Sequence, residues 1–348
     1  MSIVYFLKME AALQLPEALE KVGLENIIKP RDFCAVKMHF GEKGNKGYIH
    51  PKFIKPITEK IAGLSAYPFL TDTNTIYIGQ RADAWHHLKV AAEHGYSLEK
   101  IGVPVIIADG LRGNSSVNVE IGQKHFFKVK IANAIHYADS LLFISHFKGH
   151  ELYGFGGALK NIGMGCAARA GKYSMHDALR PKVEEQRCKA CGVCLRWCSS
   201  QALTLVEDKK SDRKMINLDK TKCRGCGECI LSCPEGVFQI PWDETAVNAQ
   251  EKMIEYAYGT LKNKRYFCIN FLNFITRFCD CFQTKEAPLI DDIGILFSLD
   301  PVSIDQAGMD LVNQKAGRNL FPEIGWKKQL EYAEKLGIGQ RNYQLLEV

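Results

Sequence analysis

Apolar positions in the first half of the chain alternate between two spacings. Short runs rich in Val, Ile, Leu and Phe occur at residues 3–7, 33–40, 67–71, 103–108, 125–131 and 141–146 and read as strands. Between them, residues 51–64 and 83–94 carry helical spacing. This alternation predicts an α/β fold, a mainly parallel sheet with helices on both faces. The texture changes near residue 182. Residues 182–241 are cysteine-rich, in segments too short for an ordinary helix, and within them 202–206 and 214–218 read as a hairpin joined by the charged turn 207–213. Beyond Pro241 the first texture resumes, with helices over 243–261, 301–316 and 326–336 and strands over 266–271 and 293–299. Asp300 before Pro301 is a helix-start signal, a capping acid followed by proline at the first helical position. The expected organisation is a discontinuous α/β domain, 1–181 and 242–348, with a small α+β ferredoxin-like module, 182–241, inserted in a surface loop.

The chain has 348 residues, 46% hydrophobic and 24% charged, enough for one large domain and one small one. Its 45 basic and 39 acidic side chains give a formal charge of +6 with the lysines scattered, so nucleic acid is not expected as a partner. No apolar run approaches the roughly 18 residues of a membrane span, and the N-terminus lacks a basic segment followed by a long apolar core. A cytoplasmic location is expected, where the 13 cysteines would stay out of disulfides.

Eight cysteines fall in two runs. Cys188, Cys191, Cys194 and Cys198 have the spacing C-x2-C-x2-C-x3-C, and Cys223, Cys226, Cys229 and Cys233 repeat it, followed by Pro234. Three thiolates so spaced wrap one corner of a cubane, and in two-cluster ferredoxins the fourth cysteine of each run serves the other cluster. The expected cofactors are therefore two [4Fe–4S] clusters, one on Cys188, Cys191, Cys194 and Cys233, the other on Cys223, Cys226, Cys229 and Cys198. Structural zinc sites favour two separated pairs of ligands over this pattern. Ser199 stands where proline commonly follows the fourth cysteine, which alters the turn and not the ligation.

The flanking halves contain the phrases Val36-Lys-Met-His-Phe-Gly41, Thr71-Asp-Thr-Asn74, Ser145-His-Phe-Lys-Gly-His150, Gly154-Phe-Gly-Gly-Ala-Leu-Lys-Asn-Ile-Gly-Met-Gly165, Cys279-Asp-Cys281 and Ser298-Leu-Asp-Pro-Val-Ser-Ile-Asp305. As a set they resemble the uncharacterised iron–sulfur centre proteins catalogued as domain of unknown function 362, in the branch with a ferredoxin insert. The resemblance implies an iron–sulfur protein and no particular reaction.

In open parallel sheets ligands bind beyond the carboxyl ends of the strands. His39, Asp72, His146, His150, Cys279, Cys281 and Asp300 follow such ends and are candidate cleft residues, with Lys160 from the glycine-rich run. His146 and His150 bracket Lys148 and suit metal or anion capture, or are ordinary loop histidines. Asp300 is equally explained as a cap, and Asp305 as a first-turn acid. If their segment is extended, Cys279 and Cys281 share a face and could ligate a soft metal, cycle as a dithiol, or simply be buried. A disulfide between so close a pair would be strained. Gly154–Lys160 suggests either a phosphate cradle at a helix start or close helix packing, and matches neither nucleotide fingerprint. Cys166 is expected to be buried.

These features point to an electron-transfer protein or oxidoreductase whose clusters serve a site in the α/β domain, with a redox partner protein and a small-molecule substrate. Two alternatives stand beside it. One is a metal-dependent non-redox enzyme, holding one additional metal ion on His146, His150, Cys279 and Cys281 while the insert is structural or sensing. The other is an electron-transfer subunit of a larger complex.

Overall fold

In the computed structural model, residues 1–176, 181–207, 213–223, 225–240, 245–281 and 286–348 are described. Eight strands form the central sheet: β1 (Ser2–Lys8), β2 (Phe33–Lys37), β3 (Tyr67–Asp72), β4 (Val105–Ile107), β5 (Ser140–His146), β6 (Arg265–Leu272), β7 (Gly294–Ser298) and β8 (Tyr343–Glu347). Their order across the sheet is β8-β1-β7-β6-β5-β2-β3-β4. Every strand but β7 runs the same way, and β7 lies antiparallel to both β1 and β6.

The middle strands are continuous apolar runs because both their faces are covered, and β5, Ser140 to His146, is buried throughout. Alternate side chains serve two cores. Leu141 and Phe143 face one core with Ile162, Met253 and Ala307, whereas Leu142 and Ile144 face the other with Ile54, Ile57 and Ile61. Helices thus cover both faces of a mainly parallel sheet, as the alternating texture predicts.

Helix ends follow their signals. Pro51–Gly63 starts with proline behind His50, whose side chain accepts from Lys52 N–H, and Ala84–Glu93 is capped by Asp83. Pro301–Ala316 begins and ends where expected. The expected start at 243 lies outside the described residues, and that helix is seen from Ala246 to Leu261. One strand is placed differently. The run expected at 125–131 forms Lys128–Ala132, which pairs with Ser116–Glu120 in a separate two-stranded sheet.

Residues 181–240 carry short elements only. Leu203–Glu207 pairs with Lys214–Leu218 as the expected hairpin, whose turn 208–212 lies outside the described residues, and Lys182–Val183 pairs with Phe238–Gln239. Two short helices, Val193–Trp197 and Glu228–Ser232, each follow a glycine in the left-handed region, Gly192 and Gly227. Leu203, Ile216, Ile230, Val237 and Phe238 share a small core with Ile76 and Tyr173 of the α/β body.

Candidate functional site

Because β2, β3, β5 and β6 are parallel, their carboxyl ends meet at one rim of the sheet. Lys37, Asp72 and His146 end three of them, and the loop after β6 brings Cys279, Asp280 and Cys281 to the same place. Together with the short helices that follow β5 they enclose a cavity of about 580 Å³. His39, Asp72, His146, His150, Cys279 and Cys281, the residues expected at strand ends, all line it, and so does Lys160 from the glycine-rich run.

Asp300 is elsewhere. Its place beside the others requires a parallel β7, but β7 is reversed, so Asp300 emerges at the opposite rim. There it accepts from Val302 N–H (2.8 Å), Ser303 N–H (3.0 Å), Gln340 N–H (2.9 Å) and Ser2 Oγ–H (2.7 Å). It is a cap that also ties down the chain on either side, and the catalytic role is withdrawn.

At the cavity wall, Cys279 and Cys281 share a sulfur–sulfur contact of 3.1 Å. The segment is a turn and not the extended strand on which the shared face was argued. Lys160 Nζ donates to Cys279 Sγ at 3.2 Å. The hydrogen bond with Cys281, then the charges of Lys160 and Lys148, hold the Cys279 thiol well below its ordinary range in spite of burial. His39 Nδ1 accepts from Gly41 N–H at 2.9 Å, which leaves the proton on Nε2, 3.5 Å from Cys281 Sγ. Burial and then the Arg81 charge lower the His39 imidazole to about 4, so the ring is neutral.

Asp280, between the two cysteines, points the other way. It accepts from His146 Nδ1 at 2.9 Å and Lys148 Nζ at 2.5 Å, while His146 Nε2 donates to the Asn273 carbonyl at 2.7 Å. Both ring nitrogens of His146 therefore face acceptors, and the ring anchors the turn. His150 Nδ1 accepts from the amides of Leu152 (3.1 Å) and Tyr153 (3.3 Å), and burial, reinforced by Lys160, lowers its imidazole to about 3.

Asp72 is a buried charge hub. Lys37 Nζ lies 2.9 Å from one oxygen, Arg81 and His87 each 3.5 Å from the other, and Thr73 N–H donates at 2.8 Å. Arg81 also pairs with Glu42 (3.3 Å) and donates to the Tyr77 hydroxyl (2.6 Å). Lys172 Nζ donates to Thr73 Oγ1 and the Asn74 carbonyl, both at 2.6 Å, and burial brings its ammonium down to about 8. Arg81, Tyr77 and Lys172 were not singled out in the sequence. They stand on a loop and a short helix with no pattern to mark them.

The glycine-rich run is explained by packing. The first amides of Ala158–Cys166 donate to buried Asp305, from Ala158 at 2.7 Å and Leu159 at 2.9 Å, so a carboxylate of the chain occupies the helix start where phosphate was considered. A Cβ on Gly157 would lie 2.3 Å from that carboxylate, which is why glycine stands there. Asp305 is thus no solvated first-turn acid. Cys166 is buried, with its thiol pushed up to about 12, and is a core residue as expected.

The eight spaced cysteines surround two small hollows. Cys188, Cys191, Cys194 and Cys233 line one, and Cys223, Cys226, Cys229 and Cys198 line the other. Backbone amides point at sulfurs of both runs, from Ala190 to Cys188 (3.4 Å), from Ala202 to Cys198 (3.2 Å) and from Val237 to Cys233 (3.5 Å). Cys191 is exposed at the outer hollow, whereas at the other Gly227 presses on the ring of Tyr173 so closely that a Cβ would lie 1.9 Å from it. Glu228 pairs with Arg169 (3.0 Å) and Arg112 (3.2 Å) of the body. Among the described residues, no group of three or more His, Cys, Asp or Glu side chains converges as it would on a single metal ion.

Fold and site define a mixed α/β protein with a cysteine-rich segment of short elements and a cation-lined cavity at one rim of its sheet. Residues 34–310 match the family described as Domain of unknown function (DUF362), and the chain belongs to that family. No curated protein matches it. Among solved structures it is similar to the lactate racemase apoprotein from Thermoanaerobacterium thermosaccharolyticum, with 11% identity and a TM-score of 0.43, over 100% of this chain and 83% of that one. It is also similar to a protein from Thermotoga maritima, with 9% identity and a TM-score of 0.43 over 93% of this chain, and spans 59% of that protein's length. Among the described residues, no helix is long and apolar enough to cross a membrane.

Proposed function

We propose that the chain is an iron–sulfur protein whose inserted ferredoxin-like module, residues 182–241, relays electrons to a small-molecule site in the discontinuous α/β domain. Cys188, Cys191, Cys194 and Cys233 would hold one [4Fe–4S] cluster, and Cys223, Cys226, Cys229 and Cys198 the second. What supports this reading above all is the crossed arrangement of the hollows, three cysteines from one run and the fourth from the other in each case. When bound, such clusters supply one-electron chemistry. The chain's own groups do the rest: amide donors to the sulfurs tune that chemistry, Tyr173 and Glu228 fix the insert to the body, and the cavity receives the substrate. A redox partner protein would exchange electrons at the exposed side.

Anaerobically reconstituted protein is expected to contain about eight irons per chain. About two zinc ions instead would refute the reading. The 3.1 Å contact between Cys279 and Cys281 favours a second reading, in which these two thiols contribute to holding one further soft metal ion for a non-redox enzyme. Loss of a non-cluster metal on replacing both cysteines by serine would support it, and unchanged metal content would remove it.

A further inference from the structure

The cavity lies next to the insert. Gly227, between ligand-spaced Cys226 and Cys229, rests on the Tyr173 ring, and the Tyr173 hydroxyl donates to the Ile76 carbonyl at 2.7 Å. Ile76 and Tyr77 line the cavity, and the Tyr77 side chain reaches Cys281 on its wall. A continuous packed path thus leads from one hollow to a pair of sulfurs. Among the described groups at the end of that path, the sulfur pair is the one that can itself take up and give back electrons.

We propose that Cys279 and Cys281 are a redox-active dithiol, reduced through the insert and oxidised by a small anionic disulfide entering the cavity. The proposal rests on the relay reading above. Three observations carry it. The sulfurs already stand 3.1 Å apart, brought together by a turn whose middle residue is anchored to His146 and Lys148. A bond across so small a ring is strained, which argues against a permanent disulfide but suits a catalytic one, since strained disulfides are the easily reduced ones. The two sulfurs also differ in access, Cys279 being buried and Cys281 partly exposed.

Cys281 is accordingly the sulfur that meets the substrate, and Cys279 the one that closes the ring. In the oxidative half, the pair holds one proton, which sits on Cys279 facing Cys281 at 3.1 Å when Cys281 attacks as the thiolate. The substrate S–S bond breaks, the Cys279–Cys281 bond forms, and the substrate leaves as one thiol, carrying that proton, and one thiolate. Return to the starting state takes two electrons, delivered singly, and one proton. Lys160 favours an anionic substrate in particular. Its ammonium lies 3.2 Å from Cys279, and when that sulfur enters a disulfide Lys160 loses its nearest counter-charge and can hold the departing thiolate. A cavity of about 580 Å³ suits a small molecule.

The test uses the full-length, reconstituted chain under anaerobic conditions, with oxidised glutathione as the probe. After treatment with the probe, the peptide carrying Cys279 and Cys281 is expected to resist alkylation and to weigh two hydrogens less. Both sites should alkylate again once the protein is reduced with dithionite. Cys279→Ser should accumulate a glutathione adduct on Cys281. Full alkylation of both sites after the probe overturns the proposal, and if iron content is normal the relay reading survives it. Reversal by dithionite that is equally complete in protein lacking iron would sink the relay reading instead. A disulfide reversed by dithiothreitol but not by dithionite in the iron-loaded protein would overturn the coupling. An adduct found only on Cys279, in Cys281→Ser, would overturn the assigned order.

Discussion

Replacing Glu228 by alanine should loosen the insert from the body. Glu228 is buried, and its carboxylate receives Arg169 at 3.0 Å and Arg112 at 3.2 Å. Arg169 is itself only 1% exposed and also donates to the carbonyls of Thr75, Ala82 and Arg112. Removing one partner of a buried pair costs about 3–5 kcal/mol, because the other charge stays buried without a counter-ion. The three carbonyls still hold the guanidinium, so the lower end applies, about 3 kcal/mol, or roughly a hundredfold in the docking equilibrium. Limited proteolysis reads the open population directly when reclosing is fast, so cleavage within residues 181–240 should rise by about that factor. Glu228→Gln retains an acceptor oxygen and should fall between the two. On the relay reading, iron content measured on the same samples separates loosened docking from loss of a cluster at the neighbouring Cys229. Cleavage of Glu228→Ala within about twofold of the parent, at equal iron content, would refute the reasoning.

Burial pushes the Asp109 carboxyl up to about 6, so it contributes stability that is complete below about pH 4 and is lost as pH rises through 6. Asp109→Asn should flatten that part of the stability–pH curve in urea titrations, and an unchanged slope would contradict the assignment. Asp300→Ala should cost about 1–2 kcal/mol in the same titration, through the lost cap, while leaving iron content and cysteine reactivity at the cavity as they were. Gly227→Ala has no room, since its Cβ would meet the Tyr173 ring and its φ of +73° disfavours a side chain. Iron in that variant should drop to about four per chain, and retention of the full content would count against the assigned ligand sets.

Much of the frame was readable because a strand covered on both faces is a continuous apolar run, as in Leu141–Leu142–Phe143–Ile144. Direction was not. Gly294–Ser298 would show the same five buried residues whether parallel or antiparallel, and that one ambiguity put Asp300 at the wrong rim. His39, Asp72, His146 and the two cavity cysteines came together because parallel strands share a rim, a rule independent of their neighbours. Asp280 sat in plain view between two cysteines, yet its role depends on His146 and Lys148, more than a hundred residues earlier, and only the packed structure pairs them. Tyr173 and Glu228 were invisible for the same reason. Each lies in an unremarkable local context and gains its meaning from the other side of a junction.

The two hollows differ in what surrounds them. One has Cys191 at the surface, flanked by exposed Lys189 paired with half-buried Glu235, and the other is backed by a tyrosine ring and a buried guanidinium. On the relay reading this asymmetry gives the insert a polarity, an outer terminal open to encounter and an inner terminal wired to the interior. Current between a docking protein and the cavity would then have to traverse both stations in a fixed sequence, and a defect at either one would interrupt the whole circuit.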